Sequence, residues 1–188
     1  MVDETFEDLM AMLDGPAFVV TTQADGQPSG CLIGFATQTS VQPPSFMAVL
    51  PRSSHTCEVA RRSGHLAVHV LAQRQTALAE LFDGEPDALA GPFKRCSWRA
   101  GPCGMPILDD AIAWFVGRVA HWIDIGDHVA FIMEPVAGWA PESDDDVLYL
   151  FDLEDAGPGQ ETPERFVLHK PAAEPRKYGL RFTLEGPV

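Results

Sequence analysis

The sequence predicts a mainly β protein, an antiparallel β-barrel with short flanking helices. Runs of β-branched and apolar residues recur along the chain, and turn signals separate them. Helical periodicity is confined to short segments. Glycine and proline number 16 each among 188 residues, which favours many turns over a long-helix bundle. With 46% hydrophobic and 21% charged residues, the composition is that of a globular protein, and the length suits one domain.

The elements follow in order. Phe6, Leu9, Met10 and Leu13 recur at helical spacing over residues 5–13, and Asp3 or Thr5 can cap that helix. Gly15 and Pro16 end it. Residues 17–22 form a strand, and Asp25-Gly26 is a hairpin signal leading into a partner strand over 29–39. Pro43-Pro44 breaks the chain before a third strand at 46–50. Ser53 or Ser54 caps a helix that runs to Arg62 and closes at Gly64. Residues 66–71 alternate as a strand, and 75–82 are good helix formers. Residues 83–106 are rich in glycine and proline and read as an excursion anchored by Phe93 and Trp98. Strands over 112–123 and 129–139 flank the Gly126-Asp127 turn, with Pro135 marking an edge or bulge. A short strand is expected at 147–151, a flexible stretch at 156–164, and a tail strand at 166–168 or 180–184.

Charge narrows the partners. The chain carries 27 acidic and 13 basic side chains, a net charge of −14. Nucleic acid and anionic membrane surfaces are poor partners for such a chain. The uncharged stretch 26–51 is interrupted by polar residues and prolines, so it offers no membrane-spanning helix. The N-terminus lacks a secretory pattern, and the chain is expected in the cytoplasm. Cys31, Cys57, Cys96 and Cys103 show no metal-binding spacing and read as four reduced thiols. The four tryptophans read as core or interface anchors.

No Walker or Rossmann loop, nucleophile elbow or zinc-protease motif is present, and no metal site is expected. One region departs from the global charge. Residues 26–82 hold two acids, Glu58 and Glu80, against Arg52, Arg61, Arg62 and Arg74. Seven acids and no basic residue crowd 142–155. Within the locally basic region, Arg52-Ser53-Ser54-His55-Thr56 follows a strand and opens a helix. Free backbone N–H groups, hydroxyls and an arginine there suit a monophosphate, and ordinary N-capping is the alternative.

The order of these motifs resembles the flavin reductase-like family, the FMN-binding split barrels. The resemblance rests on Thr21-Thr22, Asp25-Gly26, the run Gly30-Cys31-Leu32-Ile33-Gly34-Phe35-Ala36-Thr37, Pro43-Pro44 and Arg52-Ser53-Ser54-His55-Thr56. It continues through residues 67–71, 78–82, 106–109 and 113–115 to Gly126-Asp127-His128 and Phe131. It covers about residues 14–140. The domain is therefore placed at 1–140, and 141–188 is read as an acidic loop and C-terminal extension packed on it or swapped between subunits.

The resemblance implies a homodimer that binds FMN near the subunit interface. Residues 30–37 would face the flavin ring and ribityl chain, with Gly34 and Ala36 allowing close approach. Arg52, Ser53, Ser54 and Thr56 would hold the phosphate, and Phe82 would line the pocket. His128 matches the position associated with the nicotinamide nucleotide; it could equally be a turn histidine bonding the backbone. Leu32, Gly34 and Phe35 stand where many relatives carry hydroxyls, and His69 replaces an Asn common in the family. His69 is read as a satisfied core residue or a ring contact. The implied activity is NAD(P)H:flavin reduction, with NADH or NADPH as hydride donor and a monooxygenase as receiver of reduced flavin. A flavin- or other ligand-binding barrel without turnover is the alternative, and a third reading is a flavin enzyme with another hydride donor.

Overall fold

The structure, a computed structural model, describes residues 2–84 and 91–153. The stretch 156–164 and the tail strands expected at 166–168 or 180–184 lie outside the described residues.

A seven-stranded antiparallel sheet forms the frame. Its strands are β1 (Phe18–Ala24), β2 (Gln27–Ile33), β3 (Ala36–Val41), β4 (Pro44–Pro51), β5 (His65–Val70), β8 (Ala113–Ile125) and β9 (His128–Trp139). Between β5 and β8 a small sheet pairs β6 (Trp98–Ala100) with β7 (Pro106–Leu108). The helices are α1 (Val2–Ala11), α2 (His55–Ser63) and α3 (Thr76–Glu80). In space the main sheet runs β2-β1-β5-β8-β9-β4-β3. Its two edge strands, β2 and β3, are consecutive in the chain. The sheet curls so that β1, β2, β4, β5 and β9 share one core with α2: Val20, Cys31, Ile33, Leu50, Leu66, Val68, Phe131 and Met133 are buried together with Cys57 and Ala60. This is the split barrel the sequence predicts.

The strands carry a second core on their other face. Val19 and Leu32, which alternate with Val20 and Cys31, pack with Leu71, Ala79, Phe82, Leu108 and Leu148. Period-2 alternation between two apolar layers explains why these strands read as continuous hydrophobic runs. The buried threonines are satisfied: Thr21 donates to the Pro106 carbonyl at 2.5 Å and Thr22 to that of His65 at 2.9 Å.

Local chemistry accounts for the turns. Asp25 and Gly26 both take positive φ, 54° and 74°, as a two-residue hairpin turn requires. Ser54 is the N-cap of α2: its hydroxyl accepts from the Cys57 amide at 3.1 Å and donates to the Pro51 carbonyl at 2.8 Å. Gly64 closes the helix in the left-handed region, at φ 73°. Replacing Ser54 with Ala is expected to lower stability by about 1 kcal/mol, readable as a shifted urea midpoint with unchanged slope.

Three expectations change, and the one for Pro135 holds. The strand expected over 29–39 is two strands, broken at Gly34-Phe35, where the chain passes from one sheet edge to the other. Pro135 lies beyond the β4–β9 pairing, which ends at Phe46 opposite Met133, and beside a register shift in the β8–β9 ladder, so its missing N–H leaves no broken bond. Residues 147–151 form isolated bridges, Pro16 with Tyr149 and Ala72 with Val147, followed by one 3₁₀ turn at Leu150–Asp152, in place of a strand. Three of the four tryptophans lie outside the core, whereas Trp114 packs against Ala67, Met105, Ile107 and Val116. Trp98, Trp122 and Trp139 are substantially exposed, and Trp114 is half-buried. Of these, Trp98 is tied to the predicted excursion, stacking edge-on against Phe93, which in turn meets Phe82.

Candidate functional site

Three elements meet at one end of the barrel. β4 ends at Pro51, and residues 52–54 turn the chain into α2. The Arg52 amide donates to the Asp127 carbonyl at 2.9 Å, and Pro51 sits opposite His128 in the β4–β9 register. The start of α2 is thereby fixed beside the turn at 126–128. The third element is the break between β2 and β3. The Val49 amide donates to the Phe35 carbonyl at 2.9 Å, and the Phe35 ring stands 5.4 Å from the His128 imidazole, tilted by 60°.

His128 is nearly buried, and its Nδ1 lies 2.7 Å from the Asp127 carboxylate. Because a carboxylate only accepts, Nδ1 carries a proton there. This bond holds the Asp127 carboxyl below its usual range. His128 is thus oriented by the neighbouring Asp127 side chain.

Arg52 and Ser53 are exposed at this end. Ser54 and Thr56 are committed elsewhere. The Ser54 hydroxyl caps α2, as the capping alternative predicts. The Thr56 side chain is fully buried, with its hydroxyl 2.9 Å from that of Ser29. It faces inward, because the helical turn places it on the core side with Cys57, Val59 and Ala60. An anion at this helix start meets Arg52, Ser53 and the helix N-terminus more directly than the Ser54 or Thr56 hydroxyls.

The other predicted residues divide between the two cores. Cys31 and Ile33 point into the barrel, where burial pushes the Cys31 thiol up to about 12. Leu32 and Phe82 lie in the second core. A Cβ on Gly30 would sit 2.9 Å from the Phe82 ring and 3.0 Å from the Val20 carbonyl. One on Gly34 would meet Leu150 at 2.9 Å. On that side the space expected for a flat ring at Gly34 is taken by Leu150 of the chain itself. Ala36 is half-buried opposite Ala48, and Thr37 is exposed. The structure therefore joins Phe35, Arg52, Ser53 and His128 at one end, packs Gly30 against Phe82, and sets Leu32, Gly34 and Phe82 with Leu150.

Sequence reasoning missed three residues here. Asp124 Oδ1 lies 2.6 Å from Arg61 Nη2 and 3.5 Å from Arg52 Nη2, and the Arg61 guanidinium sits 4.3 Å above the Trp122 ring. No linear pattern links positions 52, 61 and 122–124; they meet only after β8 returns past α2.

A family model described as the flavin reductase like domain matches residues 10–155. The chain belongs to this family. Among curated proteins of the flavin reductase-like group, it is 28% identical over 150 residues to an FMN reductase (NADH) RutF of Stutzerimonas stutzeri, covering 80% of this chain and 86% of that protein. It is 28% identical over 132 residues to the 4-hydroxyphenylacetate 3-monooxygenase reductase component of Pseudomonas aeruginosa, covering 70% and 78%. Among solved structures, a flavin reductase domain protein from Arthrobacter superposes with a TM-score of 0.72 at 23% identity, over 88% of this chain and 99% of that one. That likeness supports the split-barrel fold. Among the described residues of this flavin reductase-like chain, no helix is long and apolar enough to cross a membrane, and no three His, Cys, Asp or Glu side chains group as a metal site.

Proposed function

We propose that the protein is an NAD(P)H:flavin reductase that takes FMN as its flavin and delivers reduced flavin to a monooxygenase. The family match over residues 10–155, with relatives named as an FMN reductase and as a monooxygenase reductase component, carries this reading.

The residues at the barrel end fit a phosphorylated flavin. Exposed Arg52 and Ser53 precede a helix N-terminus, and together they suit a phosphate. Bound flavin supplies the acceptor for a hydride from a nicotinamide ring. The chain's part is to bind and orient. Phe35 offers an apolar surface at the β2–β3 break, and His128, aligned by Asp127, offers a fixed polar ring beside it. A reaction of this kind needs geometry more than acid–base chemistry.

A homodimer completes the proposal. Phe35, Trp122, Ile123 and Ile125 expose 45%, 45%, 55% and 44% of their surfaces, leaving large apolar side chains uncovered on β8 and at the β2–β3 break. Such exposure suits burial against a second copy.

The test is direct. Purified protein with NADH or NADPH and FMN is expected to consume the nicotinamide, followed at 340 nm. No consumption with FMN, FAD or riboflavin would refute the reductase reading and leave a flavin- or ligand-binding barrel without turnover.

A further inference from the structure

The cluster at the far end of β8 is unequally held. Asp124 Oδ1 binds Arg61 at 2.6 Å, while Arg52 stands at 3.5 Å from the same oxygen. Arg61 is also fixed by its stack over Trp122 at 4.3 Å. Arg61, Trp122 and Asp124 therefore form an anchored corner, and Arg52 is the looser guanidinium drawn toward it. Arg52 is also the cation nearest the start of α2 in sequence, two residues before the Ser54 cap.

An anion arriving at that helix start competes with Asp124 for Arg52. The Asp124 charge also repels it. All of these groups are partly exposed, so the interaction is solvent-screened and modest. One nearby carboxylate acting through solvent on a phosphate dianion changes affinity by about three- to tenfold.

We infer that Asp124 is a positioning residue that acts through Arg52 to weaken the phosphate cradle, so that the flavin exchanges as a substrate and is not retained. This rests on the assignment of Arg52 to the flavin phosphate. A reductase that hands flavin to a second protein needs such release, and the Arg52–Asp124 contact supplies a partner for Arg52 when the phosphate leaves.

Comparison of FMN with riboflavin tests the inference, since riboflavin lacks only the phosphate. Dissociation constants are measured by flavin fluorescence at low and high salt for wild type, Asp124→Asn, Asp124→Glu, Arg52→Met and the double variant Asp124→Asn/Arg52→Met. Asp124→Asn is expected to tighten FMN by about three- to tenfold at low salt, with riboflavin unchanged and the gain shrinking at high salt. Asp124→Glu should stay near wild type, and the gain should vanish in the double variant. If Arg52→Met weakens FMN selectively but Asp124→Asn leaves FMN unchanged or weakens it, the Asp124 inference is overturned and the phosphate assignment stands. If Arg52→Met leaves the FMN-to-riboflavin ratio unchanged, the phosphate assignment fails and the inference falls with it. Matching thermal melts establish that each variant is folded.

Discussion

Acidification from neutral pH to about pH 4 is expected to remove about 3 kcal/mol of folding stability through one residue, His69. The side chain is fully buried in β5. Its Nδ1 lies 3.0 Å from the Val19 carbonyl, and its Nε2 lies 3.2 Å from the Leu108 amide. A carbonyl only accepts and an amide N–H only donates, so Nδ1 bears the proton and Nε2 is bare. The neutral ring thus joins β1 and β5 to β7. Protonating Nε2 would set two N–H groups against each other in a fully buried site. Burial pushes the imidazole down from 6.5 to about 4, with the Arg99 charge adding to the effect and the bond to Val19 opposing it. The unfolded chain therefore binds this proton more readily than the folded one. Stability from this source is complete above about pH 6.5 and is lost as pH falls through about 4. Asp109, Asp127 and Asp145, whose carboxyls are all held below 3.8, release their contributions only at still lower pH. The two windows separate in urea denaturation measured from pH 8 to pH 3. His69→Leu removes both the donor for Val19 and the acceptor for Leu108. It is expected to cost about 1–3 kcal/mol at pH 8 and to flatten the profile between pH 6.5 and 4. A wild-type profile already flat across that interval would refute the assignment.

His69 also marks where sequence reading stops. Its position in a strand was legible, and so was the choice between a satisfied core residue and a ring contact. Only the meeting of Val19 and Leu108, 50 and 39 residues away, decides for the former. Elements whose signals are local were legible as wholes. Ser54 and Gly64 bracket α2, and Asp25-Gly26 turns the first hairpin, because caps and tight turns are set by residues within a few positions. The break at Gly34-Phe35 was not legible, since each half resembles a strand and only their distant partners, β1 and β4, separate them. The barrel-end site follows the same division. Arg52, Ser53 and His128 stand out in local motifs, whereas Asp124 depends on a strand returning from elsewhere. The inward turn of Thr56 is intermediate: helical periodicity places it beside Cys57 on one face, but its partner Ser29 lies across the barrel. The apolar stripe of α1 was legible, yet Phe6, Leu9 and Leu13 stay exposed in the described chain. Periodicity identifies an apolar face without identifying what it packs against.

Phe82→Ala is expected to destabilise the protein by about 3–5 kcal/mol, the range for deleting a buried phenyl ring. The ring is 2% exposed and lies in the second core with Leu32, Leu108 and Leu148. It meets Phe93 edge-on at 5.5 Å between centroids. Its other neighbour is Gly30, whose missing side chain makes the contact possible: a Cβ there would stand 2.9 Å from the ring edge. The Phe82 carbonyl also accepts from the Leu32 amide at 2.8 Å, so the end of the α3 segment is pinned to β2 by backbone and ring together. Truncation would leave a cavity between Gly30, Leu32, Leu108 and Phe93, and the backbone bond to Leu32 limits how far that cavity can collapse. Gly30→Ala strikes the same contact from the opposite side. It is expected to cost about 1–3 kcal/mol, because the Val20 carbonyl at 3.0 Å belongs to the paired strand and cannot rotate away as a side chain could. The two substitutions remove one interface, so their combined effect should fall short of the sum of the separate effects. Urea midpoints for the two single variants and the double variant measure this. A residue that only lined an open flavin pocket would behave differently: Phe82→Ala would cost less than about 1 kcal/mol and would chiefly alter flavin affinity. That outcome would reassign Phe82 from the second core to the ligand surface.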